Sequence, residues 1–197
     1  LAFSDAVDSF RPGPVATDAA TIADAQRWIA GIRTGGGTEL LGGLQRAISA
    51  ASDGESVRVV YLLSDGEVGN DDEILGSLDR NAPGLRIYPI GIGSAPNRYL
   101  FERTAERARG FATYVAGAAD LDDAVQGLIE RSTRPYLTDL EIDWGGLDAH
   151  DVMPAVLPDV QAGEPLVISA RYRKPGQGQV LLRATHAGQR VEIPLDL

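Results

Sequence analysis

The sequence predicts an α/β domain built on a mainly parallel sheet flanked by helices, followed by a small antiparallel β unit. Three observations carry that prediction. The run Val57–Leu63 is apolar except for Arg58, and Arg86–Ile92 is almost as continuous, which is how strands buried on both faces of a parallel sheet read. Each run is followed by a stretch with helical spacing, so strand and helix alternate. From Pro135 onward the apolar residues recur at every second position instead, the period of an antiparallel sheet with one covered face.

Leu1–Phe3 reads as a short strand and Val7–Phe10 as its antiparallel partner, ended by Pro12-Gly13-Pro14. Thr17 or Asp18 can cap a helix whose Ile22, Ala25, Ile29 and Ile32 share one face, and Thr34-Gly35-Gly36-Gly37 stops it. Thr38-Glu39 then opens a second helix with Leu40, Leu44, Ile48 and Ala51 on its apolar face, closed by Ser52-Asp53-Gly54. The strand Val57–Leu63 ends at Ser64-Asp65-Gly66. A helix over about Asp71–Asn81, the strand Arg86–Ile92, a helix near Arg98–Arg109, the strand Phe111–Val115 and a last helix over Leu121–Arg131 complete residues 1–134, with right-handed crossovers.

Residues 135–197 predict four antiparallel strands, centred on Leu140–Trp144, Leu166–Tyr172, Val180–Ala184 and Val191–Leu195. Turn signals at Gly145-Gly146, Ala162-Gly163, Pro175-Gly176 and Ala187-Gly188 separate them. About 60 residues are marginal for a separate sandwich. This unit is therefore expected to pack on the α/β domain, or to share a β-sandwich with other sequence.

The chain has no cysteine, which removes thiol nucleophiles, Cys-ligated zinc, iron–sulfur clusters and disulfides together. Its net charge is −10 with the acidity spread along the chain, and its cations are arginines apart from Lys174. Nucleic-acid binding needs clustered cations, so this balance argues against it. No run approaches the roughly 20 apolar residues that span a bilayer. The chain opens without Met inside a strand, and it reads as a piece of a longer protein whose targeting signals lie elsewhere.

Parallel α/β sheets place ligands where strands end and helices begin, and three loops qualify. In Gly35-Gly36-Gly37-Thr38-Glu39 the glycines let backbone approach a ligand and the Thr38 hydroxyl stands at a helix N-terminus; a glycine helix stop followed by a threonine cap explains the same residues. A phosphate cradle there lacks the lysine of a P-loop and does not follow a strand. Ser64-Asp65-Gly66-Glu67 puts a carboxylate at the mouth of the most apolar strand, where a charge is costly unless it is solvated or paired; Asp65 reads as a ligand or as a cap for the next turn. Gly91-Ile92-Gly93-Ser94-Ala95-Pro96 has Pro96 where a dinucleotide fingerprint needs glycine, and reads as a plain strand-to-helix turn.

Enzymatic readings lack parts. His150 and His186 both lie in the antiparallel segment and no G-x-S-x-G elbow precedes them. Asp71-Asp72-Glu73 suits the positive end of a helix dipole. No residue set pairs a nucleophile with its base, so the chain is read as a non-enzyme.

Glycine-glycine-threonine opening a helix, followed by a buried strand ending in Ser64-Asp65-Gly66, resembles the second and third metal loops of the von Willebrand factor type A domain. Ala2-Phe3-Ser4 is similar to the end of that family's second strand, and Tyr88-Pro89-Ile90-Gly91-Ile92-Gly93 to its fifth. The longer pattern, with Asp65–Asn70, Gly93–Asn97 and Leu137-Thr138-Asp139-Leu140, most resembles bacterial relatives of the inter-alpha-trypsin inhibitor heavy chains, which carry a VIT domain upstream.

The resemblance implies a Rossmann-like fold over residues 1–134 and a metal-ion-dependent adhesion site binding Mg²⁺ (or Mn²⁺). Thr38 would be the hydroxyl ligand and Asp65 the carboxylate, with Gly36, Gly37, Ser64 and Gly66 shaping the loops. A carboxylate of a protein partner completes the coordination in that family. It also implies a secreted or cell-envelope setting. The family's Asp-x-Ser-x-Ser loop does not occur here, since Asp5-Ala6-Val7-Asp8-Ser9 has Val where a hydroxyl belongs and follows the wrong strand. By family order that loop and the first strand lie upstream of Leu1, between Leu1–Phe3 and Val57–Leu63 in the sheet. Three expectations follow from the gap: a strand borrowed from another polypeptide or a swapped copy, or direct pairing of the two strands that flank it, and weak metal binding with two protein oxygens alone. The rival reading is a phosphate- or nucleotide-binding enzyme using the Gly35–Thr38 loop.

Overall fold

A two-residue strand pair opens the chain, β1 (Ala2–Phe3) running antiparallel to β2 (Val7–Asp8). The structure, a computed structural model, describes residues 1–33, 35–49, 57–78, 85–173 and 179–196. Thr34, Ala51, Ser52-Asp53-Gly54, Asn81, Lys174 and Pro175-Gly176 lie outside the described residues. Helix α1 (Ala19–Ala30) is capped by Asp18, whose carboxylate accepts the Thr21 N–H at 2.7 Å. Helix α2 (Leu40–Ile48) is capped by Glu39, whose carboxylate accepts the Gly42 N–H at 3.3 Å. This corrects the expected threonine cap: Thr38 stands one residue outside the helix.

Next come β3 (Arg58–Ser64), α3 (Asp71–Leu78), β4 (Leu85–Ile92), α4 (Arg98–Arg107) and β5 (Thr113–Val115). A 3-10 turn at Ala118–Asp120 then leads into α5 (Leu121–Thr133). Strands β3, β4 and β5 pair in parallel in that order, with Tyr61 opposite Tyr88 and Ile90 opposite Thr113. One face of this sheet, carrying Leu62, Leu85 and Ile87, packs against Leu40 and Leu44 of α2, Ile74 and Leu78 of α3, and Leu100 and Phe101 of α4. The opposite face, carrying Tyr88, Ile90 and Val115, packs against Leu128 of α5. Burial there pushes the Tyr88 phenol up to about 12.

Two expectations about burial fail here. Val57–Leu63 was expected to be buried on both faces, but only Leu62 in β3 is fully buried, while Val59, Tyr61 and Leu63 are 40%, 41% and 54% exposed. No residue of α1 is buried, and its Ile22 and Ile29 face solvent together with Ile32 beyond its end. The physical reason is one of neighbours. Among the described residues β3 is hydrogen-bonded to β4 alone and β1 to β2 alone, so the direct pairing expected between Leu1–Phe3 and Val57–Leu63 does not form.

The C-terminal segment holds six strands where four were expected: β6 (Pro135–Asp143), β7 (Ala149–Met153), β8 (Val160–Gln161), β9 (Ser169–Tyr172), β10 (Gln179–His186) and β11 (Gln189–Asp196). They form two antiparallel sheets, β11-β10-β6-β8 and β7-β9. Leu137, Leu140, Leu182 and Ala184 make the core of the larger one. Strand β6 starts two residues after α5, and side chains fasten this unit to the parallel sheet. Arg86 of β4, only 2% exposed, donates from Nε to Asp159 Oδ2 at 2.7 Å, and from Nη2 to Asp159 Oδ1 and Asp139 Oδ1, both at 3.2 Å. Burial opposes the Arg86 charge, but the hydrogen bonds and charge of Asp159, then those of Asp139, outweigh it and hold the guanidinium more firmly protonated than usual. Arg131 of α5 adds a pair to Glu164 at 3.0 Å.

Tyr61 stacks on Tyr88 with ring centroids 5.7 Å apart, and its hydroxyl lies 2.7 Å from Ser132 Oγ at the end of α5. Removing that hydroxyl deprives the buried Ser132 of its shorter hydrogen bond. Tyr61→Phe is expected to cost about 1 kcal/mol in urea unfolding.

Candidate functional site

The first candidate loop is fastened to the end of β1. The Glu39 N–H donates to Ser4 O at 2.7 Å, and the Gly37 N–H donates to Asp5 Oδ1 at 2.5 Å. The Asp5 carboxylate therefore lies against the glycines. A Cβ on Gly36 would collide with Asp5 Oδ2, and Gly36 has φ +87°, a conformation that disfavours side chains. Gly36→Ala is accordingly expected to cost about 1–2 kcal/mol in thermal unfolding and to drive the Asp5 carboxylate off the Gly37 amide. Thr38 is exposed beside this brace.

The second loop follows β3. Ser64 Oγ accepts the Gly66 N–H at 3.0 Å, and Asp65 Oδ1 accepts the Glu67 N–H at 3.2 Å. The Asp65 carbonyl accepts the Asn97 N–H at 2.9 Å, while Asn97 Nδ2 donates to Gly66 O at 3.3 Å and to Asp71 Oδ2 at 3.0 Å. Asn97 also caps α4, its Oδ1 accepting the Leu100 N–H at 3.0 Å. One side chain thus ties the Asp65 loop to two helix starts. Gly66 is buried while Asp65 is exposed, so the backbone is gripped from below and the carboxylate is presented outward.

The expected residues therefore fall into two braced clusters: Gly36, Gly37 and Thr38 on Ser4 and Asp5, and Ser64, Asp65 and Gly66 on Asn97. Asp65 does make the local turn contact of an Asx cap through one oxygen. Among the described residues the Thr38 hydroxyl and Asp65 Oδ2 take no protein partner. No group of three or more His, Cys, Asp or Glu side chains gathers to hold a metal ion among the described residues. Thr38 and Asp65 alone would supply two of the six oxygens that Mg²⁺ takes. Neither Asp5 nor Asn97 was identified by sequence reasoning. Asp5 lies 32 positions from its glycine partner, and the one signal for it was the glycine run, which marks a place where something approaches the backbone closely.

The two histidines sit away from these loops. His186 Nδ1 is 2.8 Å from Tyr136 O and its ring packs on Tyr136, while His150 lies on β7. Gly93–Pro96 forms the turn into α4.

A family model described as the von Willebrand factor type A domain matches residues 1–114. A von Willebrand factor A domain-containing protein of Dictyostelium discoideum is 31% identical over 166 residues, covering 82% of this chain and 18% of that protein. Inter-alpha-trypsin inhibitor heavy chain H2 of Sus scrofa is 23% identical over 209 residues, covering 98% of this chain and 22% of that protein. This chain thus spans about a fifth of the length of these relatives. Among solved structures, a von Willebrand factor type A protein from Catenulispora acidiphila shares the fold with a TM-score of 0.65 at 18% identity, over 90% of this chain and 50% of that one. The VWA2 paralogue of ArnB from Sulfolobus acidocaldarius aligns with a TM-score of 0.55 at 19% identity, over 84% of this chain and 47% of that one.

Proposed function

We propose, from the premise that this chain belongs to the von Willebrand factor type A domain family, that it is a module that recognises a carboxylate of a protein partner through a divalent cation. Members of that family generally act as protein-interaction modules. The observation that carries the finer reading is the outward presentation of Thr38 and Asp65 on loops braced from behind by Asp5 and Asn97. A hydroxyl and a single carboxylate neutralise little of the charge of Mg²⁺, so an ion held by them keeps its appetite for an outside anion. Thr38 and Asp65 would hold the ion, and the partner's carboxylate would take a further coordination position. The same reading makes the chain a binding module and not an enzyme, working in a secreted or cell-envelope protein.

The rival reading, a phosphate or nucleotide site on the Gly35–Thr38 loop, gains nothing from this geometry. The Asp5 carboxylate lies against Gly36 and Gly37, where it would repel a phosphate. Thermal unfolding in millimolar Mg²⁺, with and without ATP, separates the two. The proposal expects no nucleotide-dependent shift, whereas a rise in Tm that needs ATP would favour the enzyme.

A further inference from the structure

Arg98 is a cation among acidic neighbours at the carboxyl ends of the parallel strands. It is the first residue of α4 and follows Asn97, the side chain that ties down the Asp65 loop. The residue is exposed, and its guanidinium lies over the ring of Tyr114 on β5, 3.9 Å from the centroid. Among the described residues no carboxylate pairs with it. Glu102, one turn further along α4, accepts the Tyr114 hydroxyl at 3.3 Å and so braces the ring on which the guanidinium rests. The charged residues that follow Asp65, namely Glu67, Asp71, Asp72 and Glu73, are all acidic. An arginine held on an aromatic ring has already lost part of its rotamer freedom, and its planar fork can give a carboxylate two parallel hydrogen bonds.

We infer that Arg98 is a second anion contact for the partner, taking an acidic side chain three residues away from the one that completes the cation's coordination. The inference rests on the cation reading of Asp65 and names the partner more closely: an acidic segment with carboxylates at positions i and i+3. The spacing follows from register. Ser64, Gly91 and Tyr114 are aligned across β3, β4 and β5 and form one row crossing the sheet. Neighbouring strands lie about 4.8 Å apart, so the ends of that row are about 10 Å from each other. Asp65 follows Ser64 at one end, and Arg98 covers Tyr114 at the other. A segment in polyproline II conformation repeats every three residues and rises about 3.1 Å per residue, so its side chains i and i+3 point the same way about 9 Å apart. The loop after β4 lies between the two ends. Its Gly93-Ser94-Ala95 carries no long side chain, and a Cβ on Gly93 would meet nothing within 4 Å, so a peptide backbone has room to pass over the middle of the row. The acidic residues after Asp65 repel such a segment until a cation is bound, whereas Arg98 attracts it in either state.

NMR titration of the 197-residue chain with the peptide acetyl-Gly-Asp-Ser-Ser-Asp-Gly-amide, in millimolar Mg²⁺, tests this. The Arg98 Nε–Hε resonance should shift, and the peptide should bind about threefold or more tightly than one whose second Asp is replaced by Asn. Arg98→Gln keeps a polar side chain at an exposed position, so it should leave Tm within about 2 °C while erasing that difference in affinity. Equal affinity for the two peptides would overturn the proposal, as would an unmoved Arg98 resonance. So would a difference that survives Arg98→Gln, or an equal gain from a peptide with its two Asp residues adjacent. Failure of the cation reading looks different. If Asp65→Ala and removal of Mg²⁺ both leave binding unchanged while the Arg98 resonance still shifts, the cation reading falls and the guanidinium stands as the anion contact.

Discussion

Replacing Arg86 with alanine is expected to lower the stability of the folded chain by about 3–5 kcal/mol, the largest effect of any single change considered for this protein. The guanidinium is 2% exposed, and its partner carboxylate on Asp159 is 4% exposed, so neither charge has water to fall back on. Without Arg86, Asp159 keeps a buried carboxyl that burial already pushes above its usual range despite the guanidinium beside it. Asp139 loses a partner as well. Burial works against its charge, but the Arg86 and Thr138 hydrogen bonds hold its carboxyl below the usual range. The loss should also loosen the β unit from the parallel sheet, because Arg86 belongs to β4 and both carboxylates lie beyond Pro135. Urea unfolding measures the first effect, and exchange at Leu137 and Val160 measures the second. The double change Arg86→Met with Asp159→Leu should recover most of the loss, since apolar side chains of similar volume need no partner.

Gly66→Ala is expected to cost about 2–4 kcal/mol and to weaken any binding that uses Asp65. Gly66 has φ +72°, where a side chain costs about 1–2 kcal/mol. The added Cβ would lie 2.9 Å from both Asn97 Cβ and Phe101 Cζ, neither of which is the far end of a flexible chain. Phe101 is fully buried and Asn97 is tied to Gly66 O, Asp71 and Leu100 N, so relief means moving α4 or lifting the Asp65 loop, at about 1–3 kcal/mol for overpacking. The comparison variant is Asp65→Ala. It removes the exposed carboxylate without touching this packing, and should leave Tm within about 2 °C while abolishing metal-dependent binding.

Much of the α/β half was legible because its signals are local. Continuous apolar runs marked β3 and β4, helical spacing marked α1 and α2, and the change of period at Pro135 marked the start of the antiparallel unit. What stayed hidden depends on partners far away in sequence. The alternation of Val59, Tyr61 and Leu63 with Val60 and Leu62 cannot reveal that β3 has a neighbour on one side only. Arg86 opens the predicted strand Arg86–Ile92, and its charge is buried against Asp159, 73 residues later. Strands β7 and β8 escaped notice because Ala149–Met153 carries His150 and Asp151 through its middle, and Val160–Gln161 is too short to show a period. At the site, the glycine-threonine and Ser-Asp-Gly signatures located the two loops. The braces behind them, Asp5 and Asn97, are polar residues whose partners lie 32 and 31 positions away, so local spacing does not pair them.

In the proposed role Thr38 and Asp65 would donate to a divalent cation, with its remaining positions left to water or a partner. Calorimetric titration of Mg²⁺ and of Mn²⁺ into the 197-residue chain tests it most directly. Two protein oxygens offer little beyond the ion's own hydration shell, so the predicted dissociation constant is on the order of millimolar or weaker, weakened further by Thr38→Ala and by Asp65→Ala. A micromolar site in this chain that Asp65→Ala abolishes would contradict the account, because its donors would then already be complete.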